Sequence, residues 1–106
     1  MLTKPARILC IGKDFGLLRS RVAVLTNAGY DSQAAMFYEA EGILRMHDFD
    51  LIIISATLSD EERDYVAKRV GSRASILAQR NFTLSSDLLA AVGRRLAQVR
   101  RLQYSA

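Results

Sequence analysis

The sequence predicts an α/β fold, a small doubly wound parallel sheet of four strands in the order 2-1-3-4. Three observations predict it. Apolar runs at residues 7–11 and 51–54 show no polar alternation, which is the character of strands covered on both faces. Each run is followed by a segment whose apolar residues recur at helical spacing. The 29 residues from Ala56 to Leu84 then leave room for only one helix and one strand, because each parallel crossover takes about a dozen residues or more.

Each element can be justified in turn. Arg7 to Ile11 (RILCI) is a short apolar strand that stops at Gly12. Asp14 is placed to cap a helix carrying Phe15, Leu18, Val22 and Leu25, with Leu17 and Ala28 widening the stripe and Asn27-Ala28-Gly29 as its stop. Tyr30 to Ala35 predicts a more polar strand, suited to an edge of the sheet. Phe37 to Met46 has Ala40, Ile43 and Leu44 at helical spacing. Asp50 to Ser55 is the strongest strand signal and belongs in the centre.

Ser59, followed by Asp60, Glu61 and Glu62, supplies a cap and first-turn acids for a helix that carries Tyr65, Val66 and Val70 and closes at Gly71. Ala74 to Ala78 is the fourth strand, terminal and with an open edge. Ser85 or Ser86 is placed to cap a last helix with Leu88, Leu89, Val92, Leu96 and Val99 on one stripe, running to about Leu102.

Composition bounds the rest. A chain of 106 residues, half of them apolar, suits one domain over residues 1–106, with no Pro-, Gly- or Ser-rich linker to divide it. Apolar runs stay far below the roughly 20 residues of a membrane span, and the N-terminus lacks a secretory stretch, so a cytoplasmic protein without membrane contact is expected. The single cysteine, Cys10, lies in an apolar strand, which excludes an internal disulfide and reads as a buried, inert thiol. His47, the one histidine, stands near a helix end beside Asp48, where the dipole accounts for it better than catalysis does. Gly12 and Gly16 make no dinucleotide fingerprint, since Arg19 takes the place of the third glycine, and no nucleotide cofactor is expected.

The net charge of +4 is uneven: residues 1–55 carry six basic and six acidic side chains, residues 56–106 nine and five. From Leu88 to Ala106 there are four arginines, Arg94, Arg95, Arg100 and Arg101, and no acid.

Through Arg7-Ile8-Leu9-Cys10-Ile11, Leu25 to Tyr30, Glu39-Ala40 with Ile43-Leu44, Phe49 to Ile54, Asn81 to Leu84 and Asp87 to Val92, pieces that span nearly the whole chain and match in hydrophobic pattern and turn residues, the chain resembles the receiver domain of bacterial two-component response regulators, a flavodoxin-like fold. The resemblance implies an aspartate at the end of the third strand, an acid pair after the first strand that holds Mg²⁺, and a lysine after the last strand.

Here those positions fall on Ser55, on Gly12 and Lys13 with Asp14 as the remaining acid, and near Arg80. An unactivated hydroxyl is a weak nucleophile without a base, and an ammonium at Lys13 repels the metal two carboxylates would attract. The expectation is therefore a degenerate phosphorylation pocket of Gly12, Lys13, Asp14, Ser55 and Arg80, with no metal, no cofactor and no enzymatic activity. The short gap further implies that the family's fourth helix and one flanking strand are lost.

The function this implies is a phosphorylation-independent, receiver-like signalling module of a two-component or phosphorelay-type system. It would bind another signalling protein through Arg94, Arg95, Arg100 and Arg101 on the last helix, with a homodimer through the edge strand Ala74–Ala78 or that helix as a further expectation. The bland alternative is a solvated basic face and a vestigial pocket relieved of charge repulsion. Two other readings stand beside it. One is nucleic-acid binding by the basic helix, supported by the pI of about 9.6 but by no helix-turn-helix, stacking pair or glycine clamp. The other is a receiver phosphorylated at a non-standard aspartate, Asp14 or Asp60.

Overall fold

The computed structural model describes residues 4–79 and 85–104. Four strands alternate with four helices: β1 (Arg7–Gly12), α1 (Phe15–Asn27), β2 (Asp31–Met36), α2 (Phe37–Met46), β3 (Leu51–Ile54), α3 (Asp60–Val70), β4 (Ser75–Ala78) and α4 (Ser85–Tyr104). The strands form one sheet in the order β2-β1-β3-β4, every neighbouring pair parallel. This is the predicted doubly wound arrangement.

Alternation along the central strands decides which helix covers which face. Leu9 and Ile11 of β1, with Ile52 and Ile54 of β3, pack under Ala40 and Leu44 of α2 and Val66 and Val70 of α3. Ile8, Cys10, Leu51 and Ile53 point the other way, onto Leu18 and Leu25 of α1 and Leu88, Val92 and Leu96 of α4. All four residues of β3 are buried, as an unalternating apolar run requires. β2, more polar, stands at one edge and β4 at the other.

The helix ends follow from local chemistry. Asp14 caps α1 by accepting the Leu17 N–H at 3.1 Å. In α2, Glu39 reaches back to the Met36 N–H at 3.1 Å. Ser59 and Glu62 form a reciprocal capping box on α3, at 3.2 Å from the Glu62 N–H to Ser59 Oγ and 2.9 Å from the Ser59 N–H to Glu62 Oε1. Gly29 (φ 98°) and Gly71 (φ 58°) adopt the left-handed backbone that ends α1 and α3.

Several boundaries move by one or two residues, β1 ending at Gly12 rather than Ile11 and β3 narrowing from Asp50–Ser55 to Leu51–Ile54. β2 is Asp31–Met36 rather than Tyr30–Ala35, because its register with β1 pairs Arg7 with Asp31 and Gly12 with Met36. β4 begins at Ser75, whose N–H donates to Asp50 O at 3.2 Å, leaving Ala74 outside the ladder. α4 includes Ser85 and runs past Leu102 to Tyr104, and the capping expected of Ser85 or Ser86 lies outside the described residues. The stripe on α1 also differs: Phe15 is exposed, and Arg21, three residues on from Leu18, is buried in its place. Among the described residues, no helix is long and apolar enough to cross a membrane.

Candidate functional site

In open α/β sheets, ligands and chemistry gather outside the carboxyl ends of the strands, where the winding reverses. In this chain that place lies between β1 and β3, and it brings Gly12, Lys13, Asp14 and Ser55 together. Ser55 continues the β3 ladder by donating its N–H to Ile11 O at 2.9 Å, and the residue is 1 % exposed. Its Oγ accepts two bonds from Thr57, from the N–H at 3.3 Å and from Oγ1 at 3.2 Å. Thr57 Oγ1 in turn accepts the Lys13 N–H at 3.0 Å. The hydroxyl is thus buried, with its lone pairs engaged.

Gly12 faces this knot. A Cβ added there would lie 2.9 Å from Ser55 Cβ, 3.2 Å from Leu18 Cδ2 and 3.3 Å from Thr57 Oγ1. A side chain at position 12 has no room, because Ser55 Cβ is fixed to a paired central strand. Lys13 turns outward, its Nζ 2.6 Å from Glu62 Oε2 and 6.0 Å from the centre of the Phe37 ring. The ammonium beside it, with the Ser59 N–H, holds the Glu62 carboxyl below the ordinary range. Asp14 is exposed and committed to its helix cap.

These residues do not fit Mg²⁺, which takes hard oxygen ligands in near-octahedral geometry. The strand ends offer a buried serine hydroxyl bonded to an exposed threonine, a capping carboxylate and an ammonium, and among the described residues no three acidic, imidazole or thiol groups converge. His47 stands just before β3, at the opposite end of the strands from Ser55, in a shallow pocket with Asp48, Phe49 and Arg73. It cannot act as a base for the Ser55 hydroxyl.

Beside the Lys13–Glu62 pair lies a groove of about 370 Å³ lined by Phe37, Tyr38, Glu41, Glu61, Glu62 and Tyr65. Phe37 and Tyr65 meet edge to face with centroids 6.0 Å apart, and the Tyr65 hydroxyl donates to Glu41 Oε2 at 2.7 Å. That bond, aided by the Arg69 and Arg45 guanidiniums, lowers the Glu41 carboxyl. The groove acids are therefore largely answered by cations of the same fold, apart from Glu61.

On the opposite side of the sheet, Arg94 is exposed and Arg95 half-buried on α4. Neither enters an ion pair among the described residues. The Arg100 and Arg101 side chains, and Arg80 altogether, lie outside the described residues.

Sequence reasoning missed three contributors. Thr57 is an unremarkable hydroxyl in a turn until β1 and β3 bring Lys13 and Ser55 to it. Gln79, just past β4, is buried with its Oε1 unpartnered among the described residues. Arg21 is 6 % exposed, its Nη1 likewise lacks a partner among the described residues, and burial pushes its guanidinium below the ordinary range. Burial also pushes the Cys10 thiol up to about 12, with the Arg21 charge pulling weakly the other way. The helical spacing Leu18, Arg21, Leu25 was the available signal for Arg21.

No family model matches this chain, and no curated protein is significantly similar to it.

Proposed function

We propose that the chain is a receiver-like module that docks another signalling protein of a two-component or phosphorelay-type system without being phosphorylated, and that it is not an enzyme. One observation carries this reading: the position where the resemblance calls for an acceptor aspartate holds Ser55, buried and bonded twice by Thr57. The close approach of Ser55 Cβ to Gly12 and the Lys13–Glu62 pair support it further, since they occupy the space and charge of an acid pocket. A fold supplies no activity by itself, and this one keeps its surfaces when the chemistry is gone.

Intact mass after incubation with a small acyl-phosphate donor and Mg²⁺ tests the reading. No added phosphate is expected. A phosphate that wild type gains and Asp14→Ala or Asp60→Ala loses would establish the non-standard acceptor instead. Asp60 is the fully exposed first residue of α3, 4.0 Å from Arg63, and Asp14 already serves a cap.

The nucleic-acid reading keeps one observation in its favour, the acid-free run from Leu88 onward with Arg94 and Arg95 outside any ion pair among the described residues. Affinity capture with and without nuclease separates it, because complexes held by phosphates vanish on digestion and weaken steeply with salt.

A further inference from the structure

We propose that the outer edge of β4 and the groove beside α4 form a docking site for an extended, carboxylate-bearing segment of a partner protein, which joins the sheet as a fifth strand. This deepens the docking reading and rests on it.

The backbone supplies the first half of the site. β4 pairs with β3 along one edge, and among the described residues no strand lies along the other. Ser75 and Gln79 donate their N–H groups to Asp50 O at 3.2 Å and Ile54 O at 2.9 Å. Strand geometry alternates, so the N–H and C=O groups of Ile76 and Ala78 point away from β3. Those are the donors and acceptors that an added strand takes up. The side chains agree: β3 is wholly buried, whereas Ile76 and Leu77 are only half-buried and Ala78 is exposed.

Charge supplies the second half. A groove of about 270 Å³ runs between β4 and α4, lined by Leu77, Ala91, Arg94, Arg95 and Gln98. Its two guanidiniums enter no ion pair among the described residues, and no acid follows Asp87 in the chain. A segment lying along β4 with a carboxylate on its α4 side would meet Arg94 and Arg95, whose planar forks suit that group.

Two other occupants fit less well. A second copy paired edge to edge about a two-fold axis would set α4 beside its own image, with Arg94 and Arg95 facing their equivalents and no acid from Leu88 onward to offset them. A nucleic acid would satisfy the guanidiniums but leave the carbonyls of the β4 edge without donors from a backbone.

A displayed library of random linear peptides, panned on the full chain, tests the site. The recovered peptides are expected to be rich in Asp and Glu. A synthesised representative should slow hydrogen exchange at the Ile76 and Ala78 amides. Its affinity should fall about tenfold or more in Arg94→Glu/Arg95→Glu, the size expected for lost charge-assisted bonds. Ala78→Pro removes an outward-facing donor while leaving the bonds to β3, and should also weaken binding. Thermal melts of both variants verify that they fold.

Peptides without acid enrichment, failure to recover any binder, or unprotected Ile76 and Ala78 amides would overturn the proposal. So would protection of those amides by self-association or by an oligonucleotide in place of a peptide. The phosphodonor experiment reads the Ser55 pocket and does not touch β4. A chain that stays unphosphorylated while these amides stay unprotected therefore retains the docking reading and loses this site.

Discussion

Replacing Gly12 by alanine tests how tightly the ends of β1 and β3 are locked. The added Cβ would stand 2.9 Å from Ser55 Cβ, where unstrained carbons sit about 3.5–4.0 Å apart. Neither atom can rotate away, since each is the first of its side chain. Both backbones are held, with the Ser55 N–H on Ile11 O at 2.9 Å. Leu18 Cδ2 at 3.2 Å and Thr57 Oγ1 at 3.3 Å close the remaining directions.

Overpacking of this kind costs about 1–3 kcal/mol. The sign is diagnostic. Gly12 does not have a positive φ, so without the clash alanine would stabilise the fold by about 0.4–1 kcal/mol through the unfolded chain. Urea unfolding followed by far-UV circular dichroism should show a lower midpoint with an unchanged m value. In a double-mutant cycle, Ser55→Gly removes the opposing carbon, and the cost of Gly12→Ala should shrink by about 0.5–3 kcal/mol in that background. A neutral or stabilising Gly12→Ala, or a cycle without coupling, would refute the contact. The same wall faces any aspartate introduced at position 12, which would require Ser55 and Thr57 to move first.

Three further outcomes are expected. Arg21→Met keeps the stem and removes a buried guanidinium whose Nη1 has no partner among the described residues, and should raise stability by about 1–3 kcal/mol in the same unfolding assay; a loss of stability would mean that the guanidinium is satisfied. The Glu62 carboxyl is held down by Lys13, so its contribution is fully present above the unfolded value of about 4.3 and is lost as pH falls through the lower folded value. The stability difference between wild type and Glu62→Gln should accordingly narrow as pH is lowered from 7 through the acid range, and a pH-independent difference would contradict the pairing. Cys10, buried and with its thiol pushed up to about 12, should react with an aromatic disulfide reagent only at the rate of unfolding, and fast labelling of the native chain would refute its burial.

Much of the fold was legible because its signals are local. The run Leu51 to Ile54 needs two covered faces wherever it lies, and the gap from Ala56 to Leu84 cannot hold two crossovers, which together fixed four strands and the central place of β3. Caps were equally local: Asp14 and Ser59 serve N–H groups within three residues of themselves. The candidate site was legible only in outline. Gly12, Lys13 and Ser55 could be named from their junctions, but their relations could not.

Those relations depend on which strand lies beside which. Thr57 bonds Lys13 across 44 positions of chain, and Lys13, in the turn after β1, meets Glu62 on α3, contacts that no periodicity encodes. Arg21 illustrates the limit from the other side. Its charge suggests water, yet its spacing from Leu18 and Leu25 turns it inward, and packing against the sheet overrode the preference of the residue. The sequence by itself determined the alternation of elements, their parallel order and the identity of the residues at the strand ends, because each is written in neighbouring residues. Only the tertiary structure decided that Ser55 and Thr57 bond each other beside Lys13, that Gly12 admits no side chain, and that β4 keeps one edge of its backbone without a strand partner among the described residues, because these arise where distant segments meet.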